Sequence, residues 1–102
     1  MDDEQMALIA KALAHPARIR IVRLLAEQSE CRGKEVFAGL PLAQSTVSEH
    51  LRVLKGAGLL ESHPVGTAMV YCLAASVLDE FNRAVRDISD NAVTCDAQSE
   101  GC

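Results

Sequence analysis

The stretch QSTVSEHLRVLK, residues 44–55, carries the pattern that decides the fold. Val47, Leu51 and Leu54 recur at steps of four and three residues, so they form one face of a helix that packs inward. Ser48 and His50 fall on the two flanks of this face. Small polar or charged side chains occupy the opposite, outward face: Ser45, Thr46, Glu49 and Arg52.

The segments on either side of residues 44–55 predict further helices and a hairpin. Upstream, the apolar spacing of residues 4–14 predicts a first helix, Pro16 begins a second over about 16–28, and residues 34–40 form a short third. Downstream, Gly56 and Gly58 end the helix. Residues 59–63 and 69–73 then read as two short strands around a turn that contains Pro64 and Gly66.

A last helix should run from about residue 75 to the low nineties. Its apolar residues keep a heptad-like spacing, namely Leu78, Phe81, Val85, Ile88 and Ala92. In so small a chain, a terminal helix with its own apolar stripe is typical of a dimer interface. The predicted fold class is therefore mainly α with a small β-hairpin, a dimeric winged helix-turn-helix, in which the second helix of the pair enters the major groove.

Composition and charge bound the function. The chain has 102 residues and supports one domain over residues 1–92, followed by a flexible cysteine-bearing tail at 93–102. Acids follow Met1 directly and no long apolar run occurs, so we expect a cytoplasmic protein without membrane attachment. The net charge is −4, but residues 15–63 carry seven bases against five acids. DNA binding should then show a modest salt dependence unless two copies act together.

Three segments together resemble the ArsR/SmtB family of metal-responsive repressors: ALAHPARIRIVRLLAE (12–27), STVSEHLRVLKGAGLLES (45–62) and GTAMVYCLA (66–74). The resemblance covers about residues 5–92. It implies a homodimeric repressor that binds double-stranded operator DNA and releases it when a thiophilic ion or an oxidant binds. The recognition helix would be residues 44–55, and no organic cofactor is expected.

The residues that the resemblance places at DNA have suitable chemistry. Ser48 and His50 match the family's S-x-H pair, although His50 can also be an ordinary surface histidine. Glutamine pairs with adenine, hydroxyls reach bases or phosphates, and Arg and Lys reach the backbone. The predicted DNA-binding residues are Gln44, Ser45, Thr46, Ser48, His50, Arg52 and Lys55. In the wing the family often has an arginine after the glycine, whereas Thr67 follows Gly66 here, which argues against contact with the minor groove.

The metal sites best known in the family are missing from this chain. Arg32 and Lys34 stand where the family's C-x-C arsenic pair would align, and no histidine after His63 is left for its zinc site. Cys31 then reads as a structural or incidental thiol. Strand alternation places Cys72 on the face with Val70, where a buried apolar thiol is expected.

The tail supplies the remaining thiols, Cys95 and Cys102, and these are the predicted metal ligands. In an unbroken helix they would lie about 10 Å apart, too far for one ion, so the tail should leave the helix near residue 95 and fold back. Thiolates without histidine favour trivalent arsenic or antimony as the inducer. Arsenite would need a third thiol, whereas a methylated arsenical needs two.

Besides a dimerisation module that acts without DNA, two alternatives remain at this point. The first is a thiol redox or persulfide sensor of the same fold, in which Cys95 and Cys102 become linked, although the acids around them disfavour fast oxidation. The second is an enzyme. No constellation of nucleophile, base and orienting group occurs, because Ser48 and His50 diverge on their helix, so we expect no enzymatic activity.

Overall fold

The computed structural model describes residues 1–93 and shows the predicted order of elements. The helices are α1 (Asp3–Leu13), α2 (Pro16–Ala26), α3 (Gln44–Gly56) and α4 (Ala75–Asn91), and the strands are β1 (Leu60–Val65) and β2 (Ala68–Leu73). A 3-10 helix over Lys34–Phe37 precedes α3. The fold is a winged helix-turn-helix, mainly α with a two-stranded antiparallel hairpin, as predicted.

The first two helices begin where local chemistry favours a helix start. Asp2 accepts a hydrogen bond from the backbone N–H of Gln5, whose side chain in turn accepts one from the Asp2 N–H, which makes a capping box. Pro16 occupies the first turn of α2, where its missing N–H costs nothing. His15 caps α2, since its Nδ1 accepts from the Ala17 N–H at 3.1 Å.

The short third helix differs from the prediction of residues 34–40. It is a single 3-10 turn of four residues, and the N–H groups of Ala38 and Leu40 bond back three residues, to Glu35 and Phe37. Pro41 cannot donate a backbone hydrogen bond, so the turn has little opportunity to lengthen into an α-helix.

The core lies where α1, α2 and α3 meet the start of the hairpin. Ile21, Leu54 and Leu59 are fully buried, and Leu51 is 2% exposed. Phe37 brings the 3-10 helix into this cluster, and Ile9 brings α1. Among residues 1–93, no helix is both long and apolar enough to cross a membrane.

The hairpin is a tight one that packs on the core by one face. Its register pairs Leu60 with Leu73 and Val65 with Ala68, so only two residues form the turn. The first of them, Gly66, has a φ of 63°, a conformation that glycine adopts without a steric penalty. On the core side, the Tyr71 ring meets the ring of Phe37 edge-on at 6.4 Å between centroids.

Helix α4 is the least covered element. None of its residues is buried, although Leu78 and Phe81 pack partly against the core. Further along the same stripe, Val85 is 44% exposed and Ile88 62% exposed. The described chain therefore leaves the apolar face of its last helix largely open.

Candidate nucleic-acid interface

Helix α3 presents two distinct faces. Val47, Leu51 and Leu54 are buried, which confirms the predicted inward stripe. This stripe anchors α3 against α1, α2 and β1. The orientation of the helix about its own axis is thereby fixed, and its polar face is held outward.

The first turn of α3 is exposed and polar. Gln44, Ser45 and Thr46 all lie at the surface, as the sequence predicted. The residue before them, Ala43, makes no side-chain cap, and its carbonyl accepts from the N–H of Thr46. The N–H groups of Gln44 and Ser45 therefore begin the helix without a side-chain partner. A helix start of this kind offers hydrogen-bond donors and a positive dipole end to an anion such as a phosphate.

Arg52, one turn after Ser48, is paired with Glu49 on the outward face. Its Nε donates to a Glu49 carboxylate oxygen at 3.0 Å, and the second terminal nitrogen also contacts that carboxylate. The hydrogen bond from Arg52 holds the pKa of the Glu49 carboxyl below its ordinary value, against an opposing effect of burial. Both side chains are exposed, so this ion pair contributes little to stability, and Arg52 can exchange Glu49 for a phosphate at low cost.

Two lysines lie on or beside the polar face of α3. Lys55 is exposed in the last turn of α3. Lys34, in the 3-10 helix, donates from Nζ to the Ser48 hydroxyl at 2.8 Å. Lys34 was not among the predicted DNA-binding residues, because its contact with Ser48 depends on how the two helices pack.

His50 lies in a more buried position than the other predicted DNA-binding residues. It is 7% exposed, and its Nδ1 accepts a hydrogen bond from Arg18 Nε at 3.2 Å. The rings of His50 and His15 lie 4.5 Å apart between centroids. Burial, followed by the nearby His15 and Arg18, lowers the pKa of His50. The structure thus places His50 between helices, beside the buried stripe.

Arg18 connects three helices and was not among the predicted site residues. Besides His50, it reaches the last carbonyls of α1, since its terminal nitrogen donates to Lys11 O at 3.4 Å and Ala12 O at 3.3 Å. Lys11 O also accepts from the N–H of Ala14 at 3.2 Å, and a cation is well placed beside such carbonyls at the end of a helix. A sequence signal did exist for the other partner: His50 falls three residues after Val47 and four before Leu54, at the edge of the buried stripe.

The wing carries few groups suited to DNA. Thr67 at its tip is exposed, as are the apolar Val65 and Met69 beside it. No arginine or lysine lies within the hairpin from Leu60 to Leu73. Among the described residues, α3 therefore offers a better surface for DNA than the wing does.

The cysteines require a correction. Cys31 was expected to be a structural or incidental thiol and Cys72 a buried apolar thiol. The structure instead joins them in a disulfide, with Cys31 exposed and Cys72 half-buried. Their proximity comes from packing between segments 41 residues apart in the sequence. Cys95 and Cys102 lie outside the described residues. Within residues 1–93, no group of three or more potential metal ligands comes together.

A helix-turn-helix with an exposed polar second helix, followed by a two-stranded wing, defines the class of winged helix-turn-helix DNA-binding proteins. Residues 15–62 match the model of the bacterial regulatory protein family named for arsR. This match includes α2, α3 and the start of β1.

Relatives and solved structures extend the match over most of the chain. An uncharacterized HTH-type transcriptional regulator of Mycobacterium tuberculosis is 38% identical over 76% of this chain and 68% of its own length. A SmtB homolog of Synechocystis, a transcriptional repressor, is 34% identical over 82% of this chain and 63% of its own. The solution structure of a homodimeric winged helix-turn-helix DNA-binding domain from Mycobacterium bovis superimposes with a TM-score of 0.67, at 31% identity, covering 88% of each chain.

The chain belongs to the ArsR family of bacterial transcriptional regulators. It is thus a regulator and not an enzyme, as expected from the absence of a catalytic constellation in the sequence.

Proposed function

We propose that the chain is a homodimeric repressor that binds operator DNA in the cytoplasm and releases it when trivalent arsenic or antimony binds cysteine thiolates. One observation carries the DNA-binding part of this proposal. The first turn of α3 is exposed and has no side-chain cap, while Val47, Leu51 and Leu54 of the same helix are buried in the core. Such a helix can enter the major groove without rearranging the core.

Each exposed residue of α3 has a distinct part in the proposed complex. Gln44 reads a base edge, for which adenine is the natural partner of an amide, and the hydroxyls of Ser45 and Thr46 reach bases or phosphates. Arg52 leaves Glu49 for a phosphate, and Lys55 contacts the backbone at the far end of the helix.

Ser48 and His50 act from the flanks of α3. Ser48 is held by Lys34, so a hydroxyl and an ammonium group face DNA together. His50 is nearly buried and contributes by fixing α3 against Arg18, which makes it a positioning residue in this proposal.

A second copy of the chain is the partner that best fits the open face of α4. Val85 and Ile88 on this face are exposed, and Leu8 of α1 is 51% exposed. Helices α1 and α4 contact each other, so their apolar residues can form one continuous surface. The relative from Mycobacterium bovis, at 31% identity, is homodimeric. A dimer presents two α3 helices and doubles the phosphate contacts of a chain with a net charge of −4.

Cys95 and Cys102 are the proposed ligands of the inducer. The chemistry of the donor set supports them, because soft thiolates select thiophilic ions. Helix α4 ends at Asn91 and Ala92 is extended, so α4 stops ahead of Cys95. Among residues 1–93 no cluster of three potential ligands competes for the ion.

The test is operator binding by the purified full chain, followed by fluorescence anisotropy. An operator is first selected from a random duplex library. The complex is then titrated with arsenite, antimonite, methylarsenite and zinc in the presence of a phosphine as the reductant, and with a persulfide donor after the phosphine has been removed. We expect release by the arsenicals or antimonite, and loss of that release in Cys95→Ser and Cys102→Ser.

The matched control is Cys31→Ser, which removes a thiol from the same chain but from the described domain. It should keep its response to the arsenicals. Release by zinc alone would contradict the proposed inducer, and an undiminished response in both tail variants would contradict the proposed ligands.

A further inference from the structure

The backbone places Cys31 directly opposite Cys72. Arg32 and Tyr71 form an isolated antiparallel bridge and exchange both backbone hydrogen bonds, at 3.1 and 2.8 Å. The next pair along this register is Cys31 and Cys72, in the non-hydrogen-bonded position where antiparallel strands come closest. Their Cα atoms lie 4.7 Å apart, within the range that a disulfide requires.

We propose that Cys31 and Cys72 form a reversible redox site, distinct from the tail thiols, whose disulfide state tightens DNA binding. The inference rests on the proposed function only in its DNA-binding part and is independent of arsenic. A regulator that acts on DNA works in a reducing compartment, where protein disulfides are typically transient and redox-sensing.

The chemistry requires an oxidant, and a low-molecular-weight disulfide is the class that fits. Cys31 is exposed, and a cavity of about 270 Å³ beside the pair, lined in part by Leu25 and Gln28, admits a small molecule. The Cys31 thiolate attacks one sulfur of the oxidant, forming a mixed disulfide and releasing the first small thiol.

The half-buried Cys72 then completes the exchange. Its thiolate attacks the Cys31 sulfur, the mixed disulfide breaks, and the second small thiol leaves. The two protons of the protein thiols end on the two released thiols, so two protein thiols are oxidised while one small disulfide is reduced. A small dithiol reverses both steps.

The site lies one short segment away from the recognition helix. Cys31 precedes Arg32, which is bonded to β2, and Lys34 follows two residues later and donates to Ser48 of α3 at 2.8 Å. The disulfide ties this segment to the wing and so holds Lys34 against α3. Reduction leaves the two backbone hydrogen bonds of Arg32 as the backbone link to β2. A surface held in its binding conformation loses less freedom on binding, so the disulfide form should bind DNA more tightly.

The first experiment tests the covalent step on the full chain. The protein is equilibrated with oxidised and reduced glutathione at a series of ratios, alkylated, digested and analysed by mass spectrometry. We expect an intramolecular Cys31–Cys72 peptide pair that appears with oxidation and disappears with reduction, also in a Cys95→Ser, Cys102→Ser background. A pair formed only between two chains, or only among tail cysteines, would overturn the site.

The second experiment tests the coupling in the same tail-free background. Operator affinity of the oxidised form should exceed that of the reduced form by at least about fivefold, the lower end of typical allosteric coupling. Cys31→Ser should bind like the reduced form under both conditions, with an unchanged circular dichroism spectrum. Equal affinities, or weaker binding by the oxidised form, would overturn the coupling.

A third variant tests the route. Lys34→Met keeps an unbranched side chain, one atom shorter, but removes the charge and the donor to Ser48, so it should still form the disulfide while losing most of the redox difference in affinity. A full redox difference in Lys34→Met would contradict the route through Ser48. Release of DNA on oxidation of Cys31 and Cys72 would contradict the redox proposal, and a failure to respond to arsenicals would contradict the proposed inducer. The two failures can be told apart, since the two responses use different cysteines.

Discussion

Arg18 donates from Nε to His50 Nδ1 at 3.2 Å and thereby joins α2 to the recognition helix. The same guanidinium group also holds the last carbonyls of α1, so one side chain links three helices. The acceptor nitrogen of His50 must be unprotonated to receive this bond. The position of α3 therefore depends on a neutral histidine.

Replacing His50 with alanine should destabilise the domain. The substitution removes a nearly buried ring and leaves the Arg18 Nε without its partner. We expect the free energy of unfolding to fall by about 1–3 kcal/mol, measured by urea denaturation. Thr46→Ala, on the exposed part of the same helix, should stay within about 0.5 kcal/mol. Equal losses in the two variants would contradict a positioning role for His50.

Acidification should weaken the fold through His50. Its pKa in the folded chain lies below the ordinary value of 6.5, chiefly because of burial and then because of His15 and Arg18, while Glu49 opposes the shift. At a pH well above 6.5, His50 is neutral in both the folded and the unfolded chain, so the free energy of unfolding has its full value. Below 6.5 the unfolded chain binds a proton that the folded chain resists, so the free energy of unfolding falls.

The measurement is urea denaturation between about pH 7.5 and about pH 5.5, the range in which histidine titrates. The wild-type chain should lose more stability over this range than His50→Gln, which cannot take up the proton. Parallel pH profiles for the two proteins would show that another group causes the loss.

Most of the fold could be predicted from local periodicity. The stripe of Val47, Leu51 and Leu54 predicts the buried face of α3, and the turn at Gly66 predicts the hairpin, because both patterns involve neighbours in the sequence. The exposure of the first turn of α3 also follows from this helical periodicity.

The remaining features depend on contacts between distant segments. The pairing of Cys31 with Cys72 follows from a strand register across 41 residues, which no local pattern encodes. Likewise, the contact of Lys34 with Ser48 depends on how the 3-10 helix packs against α3. His50 was expected to face DNA because its motif suggested so, whereas its place at the edge of the apolar stripe accounts for its burial.

Releasing Arg52 from its partner should strengthen DNA binding. Glu49→Gln removes a negative charge from the outward face of α3 and leaves Arg52 free to contact phosphate. We expect tighter binding, because the contact of Arg52 with phosphate no longer requires breaking its pair with Glu49 and one negative charge is removed from this surface. Glu27→Gln makes the same charge change on an exposed residue at the end of α2 and should change the affinity less. Weaker binding by Glu49→Gln would instead assign the carboxylate to a base contact.

Lys55 should contribute affinity without specificity. Lys55→Ala removes an exposed cation from the end of α3, so binding to operator and to unrelated duplexes should weaken alike. The slope of log affinity against log salt should fall by about one per protomer. Arg86→Ala, which removes an exposed cation from α4, serves as the matched control. If the two variants have the same slope, Lys55 lies outside the interface.

Ile88 should be central to the dimer. It is 62% exposed in the single chain, so Ile88→Asp has little to disturb in the fold, yet it places a charge in the apolar stripe of α4. Burying one such side chain is worth about 1.5–3 kcal/mol, and each dimer contains two. We therefore expect the dissociation constant of the dimer to rise on the order of a hundredfold, measured by analytical ultracentrifugation. Operator binding should be lost in parallel. Ser89→Asp adds the same charge on the next, exposed residue and should remain dimeric. If both variants stay dimeric, the second copy docks on another surface, and the open stripe of α4 has a different partner.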